Sequence, residues 1–453
     1  MARYQHPNPG DLLFFAADAA QRRVGLPGTT AHIHLHLRGQ LDLALLQRAI
    51  AGLHRVYPVL AARCAISPRT GWPRWRLDAT PPAPGQVVHV HAVSDNQLHP
   101  CIETLLNEPI DFVRRVPLEL HIFRGPPAGD MLVMRWTHTL MDGGGGLTIL
   151  QELDRLYRET PDLSALQTRG DERRDDFRQM LARIPWTRRI NTLLALLSGC
   201  GVGRGAGVQI SPARSSQLGT HLRYVVRQLT PEKARLVRDN AARVCPMARP
   251  SDYVRASALR ALHQMMPQPL PRAGRYTLMN YIDNRRHQPG AVCWNFTTAL
   301  PIEVPVCLAH DRRRVAESIR AQMEAHRAAD TATRDALNLW LITRPPTAYI
   351  AAIIRADFGT HGTPAARIGM RMPLSLPLGI MGPFAQPLPT FCGVEVANYY
   401  AFRAPLPQPG FAVDVHLTED RLNVVGTCLE SCVPLETLTA LVDRFVDALL
   451  DPC

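Results

Sequence analysis

The sequence predicts an α/β or α+β protein built of two lobes. Three observations lead there. Strand and helix patterns alternate: residues 32–37 place Ile33, Leu35 and Leu37 on one side and His32, His34 and His36 on the other, and the next segment spaces Leu43, Leu46, Ile50 and Leu53 for one helix face. The order strand, helix, hairpin, helix recurs roughly in each half, with a charge- and glycine-rich stretch at 161–220 between. A chain of 453 residues is also long enough for two or three lobes, each with its own core. The expected division is a first lobe at 1–175, a crossover at 176–220 and a second lobe at 221–453.

The elements follow in order. Gly39 ends the first strand, and Asp42 caps the helix that runs to Pro58. Val87–Val93 reads as a strand and Cys101–Leu106 as a short helix. Leu118–Phe123 and Met131–Trp136 form a hairpin across Gly-Pro-Pro-Ala-Gly-Asp at 125–130. Gly143–Gly146 turn the chain into a helix that buries Leu147, Leu150, Leu153 and Tyr157 and stops before Pro161. Within the crossover, DERRDDFR (171–178) and GCGVGRGAG (199–207) flank an apolar segment, Ile190–Leu197, that follows Arg183, Arg188 and Arg189. That segment reads as a core helix or crossover in preference to a membrane-surface helix. The second half starts near Leu222, with a helix at about Ser251–His263, a strand at Tyr276–Ile282 and a long helical stretch from Asp311. Phe411–Leu417 and Leu422–Leu429 are strands joined by Thr418-Glu419-Asp420, and a last helix buries Leu435, Leu438, Val442, Phe445 and Leu449.

Composition narrows the function. The 51 basic and 39 acidic side chains give +12, and all the basic charge except Lys233 is arginine. Those arginines are scattered and no basic block is interleaved with aromatics, so nucleic-acid binding is not expected. A diffuse positive field suits an anionic small molecule or an acidic partner protein. Ten cysteines, at 64, 101, 200, 245, 293, 307, 392, 428, 432 and 453, form no C-x-x-C pair and indicate neither zinc nor a disulfide framework. The N-terminus lacks signal-peptide features and no apolar run reaches the roughly 18 residues of a membrane span, so a cytoplasmic protein with free thiols is expected. His32, His34 and His36 have a spacing that can bind metal, but an exposed strand face is the simpler reading. The glycines at 143–146 lack G-x-x-x-x-G-K-[ST], and no G-x-S-x-G occurs, which sets aside an NTPase and a serine nucleophile.

The chemistry concentrates in Met134-Arg-Trp-Thr-His138-Thr-Leu-Met-Asp142-Gly143-Gly-Gly-Gly146. A histidine at the end of a buried strand, before a glycine-rich entry to a helix, can sit in a cavity. Neutral imidazole there can take a proton from a hydroxyl or an amine. A lone histidine at a strand end is more often structural, so spacing alone does not decide.

His138-x-x-x-Asp142-Gly143 resembles the H-x-x-x-D-G signature of the superfamily of chloramphenicol acetyltransferase, BAHD acyltransferases, polyketide-associated acyltransferases, wax ester synthases and condensation domains. Three further stretches fall in the matching order. Gly39-Gln-Leu-Asp42, with Leu46, Ala49, Arg55, Pro58 and Leu60, resembles the opening of two-lobed members. Pro109-Ile-Asp111 with Pro117-Leu118 resembles the segment before the active-site hairpin. Ile282-Asp283-Asn-Arg285, then Gly290 and Asn295, resembles a stretch of the second half. Thr137 replaces the first histidine of the H-H-x-x-x-D-G form. That departure favours simple ester- or amide-forming transferases. The BAHD D-F-G-W-G motif is missing from its place, Asp357-Phe-Gly-Thr-His-Gly being a coincidence of letters.

The resemblance implies two chloramphenicol acetyltransferase-like lobes, each a mixed β-sheet with flanking helices, and an active-site tunnel between them. It makes His138 the general base toward an acceptor that attacks a thioester. Asp142 then holds the histidine loop through an arginine, Arg285 or failing that Arg286, and the Gly143 amide faces the oxyanion. Asn398 falls where relatives carry a tunnel-lining Ser-Asn segment, although Ala397 stands for the serine. The implied donor is acyl-CoA or a carrier-protein phosphopantetheine thioester, with no metal and no permanently bound cofactor. The expected partners are a small-molecule hydroxyl or amine acceptor and, in one reading, an acyl or peptidyl carrier protein. A monomer is expected. A condensation-type amide-forming enzyme and a non-catalytic carrier-protein-binding relative are the alternatives.

Overall fold

The computed structural model describes residues 3–77, 82–125, 129–169, 181–182, 184–197, 210, 221–246, 249–271, 273–283, 285, 294–329, 331–359, 374–381, 389–406, 409–418 and 421–451. Residues 126–128, 171–178 and 199–207, with Arg183, Arg286, Gly290, Glu419 and Asp420, were singled out in the sequence and lie outside the described residues.

The first half opens with β1 (Arg3–Gln5), α1 (Pro9–Arg22), β2 (Thr30–Leu37) and α2 (Leu43–Val56). β3 (Arg63–Ile66), β4 (Pro73–Leu77), β5 (Val88–Ala92) and α3 (Asp95–Asn107) follow. The hairpin of β6 (Leu118–Arg124) and β7 (Met131–Thr137) then leads into α4 (Gly143–Glu159), and α5 (Trp186–Leu197) lies in the crossover. Helix α3 is longer than the expected Cys101–Leu106, because Ser94 and Gln97 form a capping box and Pro100 is accommodated within the helix. In α5, Trp186 is 72% exposed and Leu194 57% exposed, so those positions do not belong to a core helix.

The second half contains β8 (Leu222–Leu229), α6 (Pro231–Val244), α7 (Pro250–Met265), β9 (Arg275–Asp283) and β10 (Thr297–Pro305). The long helical stretch resolves into α8 (Arg312–Ala328), α9 (Thr331–Ile342) and α10 (Thr347–Gly359). It ends with β11 (Leu378–Met381), β12 (Thr390–Phe391), β13 (Val394–Arg403), β14 (Phe411–Leu417), β15 (Leu422–Leu429) and α11 (Leu435–Leu450). β10 was missed because of its prolines. It pairs with β9 alone, and an edge strand tolerates a missing N–H.

The central sheet has six strands in the order β12–β13–β2–β7–β6–β5, and a second sheet has the order β11–β14–β15–β8. β13 comes from the second half yet runs antiparallel to β2, with Tyr399 opposite Leu35 and Ala401 opposite Ile33. The division into 1–175 and 221–453 therefore needs correction for residues 390–403, which complete the first lobe's sheet. One core, containing Leu35, Leu46, Leu53, Trp136 and Leu150, lies on the side of that sheet that carries α2 and α4. The other core joins Phe123, Met131 and Val133 of the central sheet to Val413, Val424 and Phe445 of the second lobe. No helix among the described residues is long and apolar enough to cross a membrane.

The expectation that His32, His34 and His36 face solvent is overturned. His32 and His34 are 0% exposed, because β13 sets Phe402 opposite His32 and Tyr400 opposite His34. The rings stack, with 4.8 Å between the centroids of His34 and Tyr400. None of the ring nitrogens of His32 and His34 has a hydrogen-bond partner. Burial holds both well below the ordinary 6.5, and lowers His36 to about 4. The folded state thus refuses protons that the unfolded chain accepts. Stability from these groups is complete above about 6.5 and is lost as pH falls from there toward 4. Urea midpoints at pH 7.5, 6 and 5 should fall in that order, each such histidine contributing up to about 1.4 kcal/mol per pH unit. Equal midpoints would contradict this account.

Candidate active site

Strand β7 delivers His138 to the edge of the buried sheet. Its amide donates to the Thr29 carbonyl at 2.7 Å, and Trp136 Nε1 donates to the Met141 carbonyl at 2.9 Å, closing the loop between. The four glycines are the first turn of α4 and not a free turn before it. Asp142 is their cap, its Oδ1 accepting from the Gly145 amide at 2.8 Å. Two of them answer to close approach. A Cβ on Gly144 would lie 2.8 Å from Arg285 Nη1, and one on Gly146 would lie 2.8 Å from Trp136 Cη2. Gly144→Ala should displace Arg285 and destabilise the protein by about 1–3 kcal/mol, read as a lowered urea midpoint.

The structure brings Asp142 and Arg285 together across the two halves. Arg285 Nη2 donates to Asp142 Oδ1 at 2.6 Å and Nη1 to Oδ2 at 3.2 Å. Asp142 Oδ2 also accepts from the Phe296 amide at 2.9 Å and the Thr297 hydroxyl at 2.7 Å. Burial pushes the Asp142 carboxyl up, but the Arg285 charge and these donors outweigh it and hold the pKa below the usual range. Arg285 further donates to Asp283 Oδ1 at 3.0 Å and the Trp294 carbonyl at 2.5 Å. The carboxylate is thus saturated with donors, and what it holds is the loop.

His138 is held from three sides. Its Nδ1 lies 3.1 Å from Asn295 Oδ1, and Phe14 stacks on the ring at 3.8 Å between centroids. Asn295 Nδ2 donates to Asp11 Oδ1 and to the His138 carbonyl, each at 2.8 Å. Both amide hydrogens are therefore engaged, and Oδ1 is left as acceptor. It follows that His138 Nδ1 carries the hydrogen and Nε2 the free lone pair. Asp11 is itself fixed by the cap of α1, where Oδ2 accepts from the Asn8 amide at 3.0 Å, and Asn8 Nδ2 donates to the Asn295 carbonyl at 2.9 Å.

Burial, then the Arg403 charge, lower His138 to about 4, against the upward pull of Asp142 and Asn295. A base with that value is unprotonated throughout the neutral range. The pH profile of kcat/KM should be flat from pH 6 to 8 and fall only below about 5 on its acid side. An acid limb centred near 6.5 would contradict this.

Gly143 begins α4, where the first amides have no acceptor inside the helix and the dipole favours negative charge. A Cβ there would lie 3.2 Å from Met381 Cε. Asn398 is not brought to the site. It lies opposite His36, six strand residues from the His138 end, or about 20 Å. Asn423 Nδ2 donates to Asn398 Oδ1 at 2.9 Å, so the residue stitches the two sheets together. Asn8, Asp11, Phe14 and Arg403 were missed. The box Asn8-Pro9-Gly10-Asp11 is legible as a helix start, but nothing in its spacing points to residue 138. Among the described residues no three His, Cys, Asp or Glu side chains are grouped to hold a metal ion.

No family model matches the sequence, and no curated protein matches it either. Solved structures do. The first condensation domain of the CDA synthetase shares 16% identity at a TM-score of 0.71, covering 99% of this chain and 97% of that one. TRI3 trichothecene 15-O-acetyltransferase from Fusarium sporotrichioides shares 13% at 0.65, covering 98% and 95%. Polyketide synthase associated protein 5 from Mycobacterium tuberculosis shares 14% at 0.64, covering 99% of each. The chain shares the mixed helix-and-sheet fold of these solved structures over nearly its whole length.

Proposed function

We propose that the protein is an acyltransferase that moves an acyl group from a thioester to a hydroxyl or amine. The observation that carries this reading is the His138 imidazole, held in one tautomer by Asn295 with Nε2 as the free lone pair, four residues before the Asp142 cap of α4. The acceptor O–H or N–H gives its proton to Nε2 as its heteroatom forms a bond to the thioester carbonyl carbon. The resulting oxyanion is met by the Gly143 amide, and such a donor is worth about 10²–10³-fold in rate. Collapse breaks the carbon–sulfur bond, and the thiolate takes the proton back from Nε2. Asp142 and Arg285 touch no substrate in this scheme, and position the loop. Solved condensation domains and an acetyltransferase with this fold support the same chemistry.

The test is incubation of the purified protein with a panel of acyl-CoA thioesters and mixed alcohols and amines, with products followed by mass spectrometry. A parallel arm supplies the same acyl groups on a phosphopantetheinylated carrier protein. An acylated acceptor in the first arm marks a coenzyme A donor, and in the second arm alone a carrier-bound donor. No acylated product in either arm from folded protein would overturn the proposal and favour a binding role.

A further inference from the structure

We propose that Met381 sets the size of the acyl group by walling the space beside the Gly143 amide. The inference rests on the reading of that amide as the oxyanion donor. Three of the glycines that open α4 face different parts of the protein. A Cβ on Gly146 would strike Trp136 of the first core, and one on Gly144 would strike Arg285. One on Gly143 meets the far end of a side chain, 3.2 Å from Met381 Cε and 3.4 Å from Sδ.

Met381 comes from the other half of the chain. It ends β11, the edge strand of the second sheet, and lies opposite His416 of β14. Alternation divides the strand's side chains: Ile380 packs on the core of the second lobe, and Met381 turns to the core that carries α4. The side chain is half-buried, so it borders open space as well as protein. Arg285 and Trp136 are tied down, the first to Asp142 at 2.6 Å and the second to the Met141 carbonyl at 2.9 Å. A thioether makes only weak hydrogen bonds, and three rotatable bonds let it follow the shape of whatever lies against it. During transfer the acyl carbon carries four groups. Its oxygen faces the Gly143 amide, the acceptor atom arrives from the side of His138 Nε2, and the sulfur leaves with its pantetheine arm. The fourth group is the acyl chain, the one apolar branch, and Met381 is the apolar side chain that meets Gly143. A chain that outgrows the room beside the Sδ–Cε tip has to displace it.

The experiment is a profile of kcat/KM over acetyl, butanoyl, hexanoyl and octanoyl thioesters, with the acceptor that is turned over best. Wild type should fall at one step of the series. Met381→Ala should raise the first excluded donor about ten- to two-hundredfold, the range that a methylene in an apolar pocket commands. Met381→Trp should move the fall to a shorter chain, and Met381→Leu, of similar volume, should keep the wild-type profile. A profile that Ala and Trp leave in place overturns the wall. A changed acceptor preference with the acyl profile intact overturns it as well, since the thioether then faces the acceptor. A second readout needs no turnover. In protein labelled with 13C at the methionine methyls, Met381 is the resonance that Met381→Leu lacks. S-hexyl pantetheine, a thioether with the arm that both donors share, should move it, and S-methyl pantetheine should move it less. That response without any transfer would sink the acyltransferase reading and uphold the wall. Transfer with neither the response nor a shifted profile overturns the wall alone. An unmoved methyl in a protein that transfers nothing overturns both.

Discussion

His138→Ala is expected to lower kcat by about 10²–10⁴-fold, the range that a positioned base supplies, while the protein stays folded. The imidazole is almost fully buried, so the change leaves Asn295 Oδ1 and one face of Phe14 without their partner. An unpaired buried acceptor costs about 1–3 kcal/mol, which shifts the thermal midpoint by some degrees without unfolding the chain at 25 °C. The measurement pairs single-turnover rates with a thermal melt. A folded variant with wild-type kcat would remove the base from the scheme.

Asp142→Ala is expected to be the most destabilising single change in the site, by about 3–5 kcal/mol, with transfer lost as well. Removing the carboxylate leaves the buried Arg285 charge with Asp283 as its remaining ion pair and frees the Phe296 amide, the Thr297 hydroxyl and the cap of α4 together. Urea unfolding reads the loss. Arg285→Ala in the same chain should restore part of it, since the buried charge that lost its two-point partner goes with it. If the double variant is as unstable as the sum of the singles, the two do not act as a pair. The depressed carboxyl pKa means that Asp142 contributes its full stability above the ordinary 3.8 and loses it only as pH falls through its lower folded value. Acid weakening between pH 6.5 and 4 therefore reports the buried histidines and not this carboxylate.

The sequence made the His138–Asp142–Gly143 loop legible because those residues are local, their spacing being set by one strand end and one helix start. Arg285 was reachable through its own short motif. The rest is long-range. Asp11 serves His138 through Asn295, three residues from three parts of the chain, and each alone reads as a cap or a loop. Strand β13 failed for a different reason. Tyr399 and Tyr400 are both buried, on opposite faces, so the alternation that reveals a half-exposed strand is absent. The same two-sided burial hid the fate of His32 and His34, whose polarity reads as exposure until Tyr400 and Phe402 are seen to cover them.

The pairing of β2 with β13 sets a schedule for synthesis. Roughly 350 residues separate the two strands. A ribosome adding about 5–20 residues per second leaves the hydrogen-bonding edge of β2 without its neighbour for about 20–70 s. During that interval a buried, histidine-bearing strand is an open edge, the kind of surface that pairs with whatever strand it meets first. The nascent first half is the stage of this protein's life that most needs a chaperone. A shortened chain ending before residue 394 should collect in the insoluble fraction even with every catalytic-loop residue in place.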